Sequence, residues 1–157
     1  MTDPFIGDTA VFCSAIWEPE KWMWCDGREL EMQRFIPLFA MIGNQFGGDG
    51  RKTFALPKMD DLMPGARYVM AVDGMFRTRE ERGVWAPDIL AFAKEWLGAP
   101  PPGTIYPTGQ IINIRGNQEL FALIGNAFGG DGQKTFALPN LGNRYVLCTQ
   151  GTFPRAA

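Results

Sequence analysis

Histidine is absent from the 157 residues. That removes the commonest general base, the commonest metal ligand and the one side chain that changes charge near neutral pH, so the expectation of catalysis falls. Cysteine is scarce: Cys13, Cys25 and Cys148 form an odd set with no CxxC spacing, which argues against both a disulfide framework and a zinc site. Three reduced, buried thiols are the simpler reading, with a Cys13–Cys25 bridge left open. No stretch approaches the roughly 20 apolar residues that cross a bilayer, so membrane insertion is not expected. The opening MTDPFIGDTA has neither the basic region nor the apolar run of a secretory signal, and the expectation is synthesis in the cytoplasm without that export route. An excess of one charge is missing too. The formal net charge is -2 and the basic residues are scattered, so nucleic acid is not an expected partner. What remains is a chain that is 46% hydrophobic, long enough for one ordinary domain or two very small ones.

What is there is written twice. IGNQFGGDGRKTFALP at 42–57 returns as IGNAFGGDGQKTFALP at 124–139 with two of sixteen positions changed. Extended without a gap, Leu38 to Met59 matches Leu120 to Leu141 at 17 of 22 positions, an agreement that shared composition does not produce. Upstream, DGRELEM (26–32) faces TGQIINI (108–114); downstream, GARYVMAVDGMF (65–76) faces GNRYVLCTQGTF (142–153) at a shorter spacing. The change of spacing places five extra residues in the first copy, around Asp60 to Pro64. The chain therefore reads as a first unit over 1–76, a charged connector over 77–87 that contains RTREERG, and a second unit over 88–157. The charged run has no apolar residue to bury, which makes it a solvated linker.

Each unit reads as α+β, with short strands, one short helix and a glycine-rich loop. WMWC-DG-RELEM predicts a β-hairpin, because Asp-Gly supplies the positive φ angles of a two-residue turn between alternating flanks. Gln33 to Ile42 carries Phe35, Leu38, Phe39 and Ile42 at helical spacing and ends at Gly43-Asn44, which predicts a short helix with a left-handed cap. Three glycines in four residues keep FGGDGRK irregular, TFALP returns to an extended form that proline closes, and Tyr68 to Val72 alternates like a strand. PDILAFAKEWLG (87–98) has a helical pattern by itself. Aligning its Asp88 and Phe92 with Asp8 and Phe12 of the strand-like DTAVFCSA predicts a strand instead, since two copies of one fold should use the same element.

The repeated loop, Gly47, Gly48, Asp49 and Gly50 in the first copy and Gly129, Gly130, Asp131 and Gly132 in the second, fits poorly to ligand chemistry. A phosphate-binding loop needs G-K-[ST] running from strand to helix, whereas here Arg51 or Gln133 precedes the lysine and the order is helix to strand. A calcium loop needs several oxygens and each copy offers one carboxylate. The loop reads as a fold-defining turn in which glycines take unusual backbone angles and aspartate accepts hydrogen bonds from backbone amides. No cofactor and no metal are expected, and the pairs Asp60-Asp61 and Glu80-Glu81 read as solvated charges. Trp17, Trp22 and Trp24 cluster near the first Asp-Gly turn. They are candidates for a subunit interface or a glycan contact, against the simpler reading that they cover a thin core.

PFIG near the start, then P-x-x-W-x-x-C-D-G-R-x-L and LFAMIGNQFGGDGRKTFALP, resemble the phage tail collar domain family, which includes bacterial proteins labelled microcystin-dependent. The terminal RYVLCTQGTFP is similar to a closing segment found in such proteins, and RYVMAVDGMF is a weaker copy of it. The resemblance implies a structural component of a phage or phage-derived tail, tail fibre or surface appendage without enzymatic activity. It also implies partners among other tail or fibre proteins and a location on a virion tail or extracellular appendage. Histidine-held metal at a receptor-binding tip does not carry over to a chain with no histidine. Two copies in one chain supply two pseudo-equivalent faces, suited to stacking or ring assembly as a homo-oligomer. The second reading, from a different class, is an adhesin or lectin-like module whose aromatic hairpins touch a cell-surface glycan.

Overall fold

The computed structural model describes residues 4–14, 17–75 and 87–155; residues 76–86 of the connector region, including Trp85, lie outside the described residues. Ten short strands form among the described residues: β1 (Thr9–Phe12), β2 (Trp22–Trp24), β3 (Glu29–Glu31), β4 (Thr53–Ala55), β5 (Arg67–Ala71), β6 (Phe92–Glu95), β7 (Thr104–Ile105), β8 (Ile111–Asn113), β9 (Thr135–Ala137) and β10 (Tyr145–Cys148). Two seven-residue helices, α1 (Ile36–Ile42) and α2 (Gln118–Ile124), complete the set with short 3-10 turns. The fold is α+β and antiparallel in its strand ladders, with the two tandem units plainly repeated.

Six strands form one sheet in the order β2-β5-β1-β6-β10-β7. Read from either end the order is the same, three strands from the first unit and their three counterparts from the second. The units therefore join edge to edge, with Val11 opposite Ala93 and Phe12 opposite Phe92, and an added hydrogen bond from the Cys13 N–H to the Ala91 carbonyl at 2.8 Å. An edge strand of a small unit would otherwise expose a row of unpaired amides; each unit satisfies the other's edge.

The pairings correct the sequence register at this strand. Val11 pairs Tyr68 and Glu95 pairs Tyr145, and since Tyr68 and Tyr145 are counterparts, Val11 answers to Glu95, a spacing of 84 residues. The bridges Phe5–Met75 and Ile89–Thr152 keep that spacing, as do the left-handed backbones of Gly7 (φ 92°) and Ala91 (φ 69°). Phe92 thus stands in the place of Asp8, and Phe12 and Phe92 are cross-strand neighbours rather than counterparts. The shift from the expected alignment is four residues, an even number, so the in-and-out pattern of the strand is unchanged and the sequence could not reveal it. The prediction of a strand in 87–98 stands, at Phe92–Glu95.

The expected hairpin does not form. β2 pairs β5 while β3 pairs β4, so the Asp-Gly turn hands the chain from the large sheet to a separate two-stranded one. Asp26 braces the corner: its Oδ1 accepts the backbone N–H of Arg28 at 3.1 Å, and its carboxylate takes the Arg28 guanidinium at 3.0 Å through each oxygen, which holds the carboxyl below its usual range. Glu18 also pairs with that guanidinium. The second unit makes the same corner without these charges, the Thr108 N–H donating to Gln110 Oε1 at 2.7 Å. The corner bridges coincide as well, Asp26–Lys58 in one copy and Thr108–Asn140 in the other, so IYPTG keeps the shape of WCDG.

The first helix is shorter than the predicted Gln33–Ile42. Phe35 leaves helical geometry at φ -135°, ψ 45°, and separates a 3-10 turn at Met32–Arg34 from α1. Pro37 enters at the first turn, where its missing N–H costs nothing. Both helices end on a glycine with positive φ, Gly43 at 61° and Gly125 at 62°.

Candidate functional site

Each GGDG loop is closed by its own aspartate. Asp49 Oδ1 accepts the amides of Arg51 and Lys52 at 2.8 Å and of Thr53 at 3.0 Å, and its own N–H donates to Thr53 Oγ1 at 3.2 Å. Asp131 repeats the set with Gln133 and Lys134 at 2.8 Å, Thr135 at 2.9 Å and Thr135 Oγ1 at 3.2 Å. Amide protons stabilise the charged carboxylate, first that of the threonine, and hold both aspartates down at about 2. Gly48 (φ 85°) and Gly130 (φ 86°) pass so close to the backbone of Phe54 and Phe136 that a Cβ there would overlap it. The loop is thereby clamped onto the TFA strand, whose central ring packs on the helix: Phe39 on Phe54 at 5.4 Å and Phe121 on Phe136 at 5.2 Å. In each copy one carboxylate oxygen, Oδ1, is spent on three amides of its own loop. Among the described residues no three His, Cys, Asp or Glu side chains converge as metal ligands.

The three tryptophans lie apart in role. Trp22 is 1% exposed and its ring meets Phe92 of the second unit edge-on at 5.0 Å, so it offers no surface to a glycan. Trp24 is half-buried, stacked near Phe12 at 6.1 Å, with the Arg67 guanidinium over its ring at 4.3 Å. Trp17 is also half-buried, 6.1 Å from Phe153. Phe12 and Phe92 touch at 4.9 Å between them. Strand alternation puts Phe12, Trp22, Trp24 and Phe92 on one face of the large sheet, and this aromatic cluster is where the two units meet.

On the opposite face the counterpart tyrosines meet, Tyr68 and Tyr145, with hydroxyl oxygens 3.4 Å apart. Burial, then the Tyr68 hydroxyl, pushes the Tyr145 phenol up. They border a cleft of about 400 Å3 over the joined strands, lined also by Val11, Met59, Lys94 and Glu95. Sequence reasoning did not single out this seam. The recurrence of RYV in both copies was the available signal, and only the tertiary pairing shows that the repeated tyrosines touch. Also unforeseen is an uneven surface: Ile36, Met41 and Phe46 of the first unit are exposed, whereas Leu123 and Ile124 in the second unit are buried and Phe128 packs against the core.

The three cysteines are free and buried, with burial pushing the Cys13 thiol up to about 12. No helix among the described residues is long and apolar enough to cross a membrane.

Comparison with known proteins agrees with this anatomy. Neither the curated proteins nor the solved structures contain a match. The phage tail collar domain matches twice, at residues 4–64 and 88–146, so that each match takes in two whole strands of the large sheet (β1 and β2, or β6 and β7), one two-stranded sheet, one helix and one GGDG loop. With most of its length matched in two consecutive copies, the chain belongs to the phage tail collar domain family.

Proposed function

We propose that the chain is a structural component of a phage or phage-derived tail or tail fibre, acting by self-assembly or by docking on other tail proteins. The observation that carries this reading is the double collar match on a fold whose repeated motif is spent on its own backbone: the loop that a sequence scan would offer as a ligand site is closed by Asp49 and Asp131. The repeated residues Gly47, Gly48, Gly50, Gly129, Gly130 and Gly132 then serve to hold a rigid loop, and a rigid, twice-repeated surface is what a tail assembly uses. The glycan-binding alternative draws no support from Trp22, which is covered by Phe92. Immunogold labelling of purified tail particles, with co-purification of the chain in those particles, tests the proposal. Labelling of the tail is expected; its absence from intact particles overturns the reading.

A further inference from the structure

The chain carries four Asp-Gly pairs, at 26–27, 49–50, 73–74 and 131–132. Such a pair can close on itself when the glycine nitrogen attacks the aspartate's own side-chain carboxyl, and a glycine, having no Cβ, leaves that nitrogen unhindered. The reaction needs the carboxyl held against the nitrogen. It also needs the neutral carboxyl, which donors fixed on the ionised carboxylate disfavour. In three of the pairs the fold withholds these conditions. Asp49 Oδ1 turns to the amides of Arg51, Lys52 and Thr53, while the Gly50 N–H donates to the Thr53 carbonyl at 2.9 Å. Asp131 repeats this, with the Gly132 N–H on the Thr135 carbonyl at 2.9 Å. Asp26 is clasped through both oxygens by the Arg28 guanidinium. The fourth pair is arranged the other way. The Gly74 N–H donates to Asp73 Oδ1 at 2.8 Å, Asp73 is exposed to water, and among the described residues no other donor fixes its carboxylate.

We propose that Asp73-Gly74 is a site of spontaneous modification, at which the backbone passes from an aspartyl to an isoaspartyl linkage. The Gly74 nitrogen bonds to Asp73 Cγ and gives up its proton, the neutral carboxyl gives up its hydroxyl, and the two depart as water to leave a succinimide ring. Water then adds at either ring carbonyl. Opening at Cγ restores aspartate; opening at the former peptide carbonyl leaves the chain joined through Cγ, with the α-carboxylate as the side group. Composition and oxidation state are unchanged, and the backbone is longer by one methylene. The position decides the consequence. Just beyond the pair, the Met75 N–H donates to the Pro4 carbonyl at 2.8 Å and the Met75 carbonyl accepts the Ile6 N–H at 2.8 Å, closing the Phe5–Met75 bridge. Gly74 lies so near the Pro4 carbonyl that a Cβ would overlap it, so an added methylene has no room and the bridge opens. β5 ends at Ala71, and the six-stranded sheet lies outside the changed segment. The second unit has Gln150 in the place of Asp73, which confines the change to the first.

Ageing the whole folded chain at neutral pH in water enriched in oxygen-18 tests this, because each passage through the succinimide leaves a heavy oxygen in the residue. Peptide mapping by mass spectrometry should find label at 73–74 accumulating at least about tenfold faster than at 26–27, 49–50 or 131–132. Enzymatic carboxyl methylation should detect isoaspartate in the same peptide. In denaturant the four pairs should label alike, since the fold no longer distinguishes them. Asp73→Glu, a change at an exposed position that demands a larger ring, should remove the label from that peptide. Hydrogen exchange should show the Ile6 and Met75 amides losing protection in the aged wild type and keeping it in aged Asp73→Glu. A folded wild type in which 73–74 labels no faster than 49–50 overturns the proposal, as does label that survives Asp73→Glu. Isoaspartate at 73 with Ile6 and Met75 still fully protected overturns the opening of the bridge.

Discussion

Replacing Phe92 by alanine should unfold both units together, although the residue belongs to the second. The ring is fully buried and spans the seam, touching Phe12 at 4.9 Å and Trp22 at 5.0 Å across the β1–β6 pairing. Truncation of such a ring removes its transfer free energy and leaves a cavity that close-packed neighbours fill only in part, a loss of about 3–5 kcal/mol. Domains of this size are stable by about 5–15 kcal/mol, so the variant loses between about a fifth and all of its stability. Two aromatic contacts go with the ring. A double-mutant cycle with Trp22→Ala should return a coupling of about 0.5–1.5 kcal/mol. Urea unfolding followed by tryptophan fluorescence and by far-ultraviolet circular dichroism is the assay, with one transition expected for wild type and variant and coincident curves from the two probes. If Phe92→Ala abolishes folding outright, Phe92→Leu gives a smaller shift in the same sense. Two transitions, only one of which moves with Phe92, would refute the conclusion that the six strands form one cooperative sheet.

Other outcomes follow from the loops and thiols. Gly130→Ala places a Cβ into the Phe136 backbone at a left-handed φ and should cost about 1–3 kcal/mol by chemical denaturation, whereas Gly142→Ala, in open space, carries only the milder backbone penalty. The folded carboxyls of Asp49 and Asp131 sit near 2 against an ordinary 3.8, so their contribution to stability is full above about pH 4 and lost as pH falls toward 2. Asp131→Asn should flatten that part of the pH–stability curve, measured by denaturation at stepped pH. Thiol reagents at pH 8 should leave Cys13, Cys25 and Cys148 unmodified in the folded chain and label all three in denaturant, because each is buried and its thiolate disfavoured.

Several features of this protein are determined by its sequence alone, because they depend on neighbours in the chain. The doubled IGN-x-FGGDG-x-KTFALP specifies a helix stop, a glycine turn and a short strand through local backbone rules, and both copies obey them. The role of Asp49 and Asp131 was legible for the same reason: an aspartate two to four residues before its amide partners needs no distant element to find them. Pairing partners are a different matter. The flanks of the Asp-Gly turn alternate correctly, but alternation identifies a strand and not the strand it joins, so β2 and β3 part company at Asp26. An even slip of four residues left the face pattern of β6 intact, and only the hydrogen-bond ladder fixes it. The seam of Phe12, Trp22 and Phe92, the meeting of Tyr68 with Tyr145, and the unequal cover of Phe128 and Phe46 arise between units far apart in the chain. Their cause is the burial of one unit's edge and apolar surface by the other, which is decided by three-dimensional apposition and has no local signature.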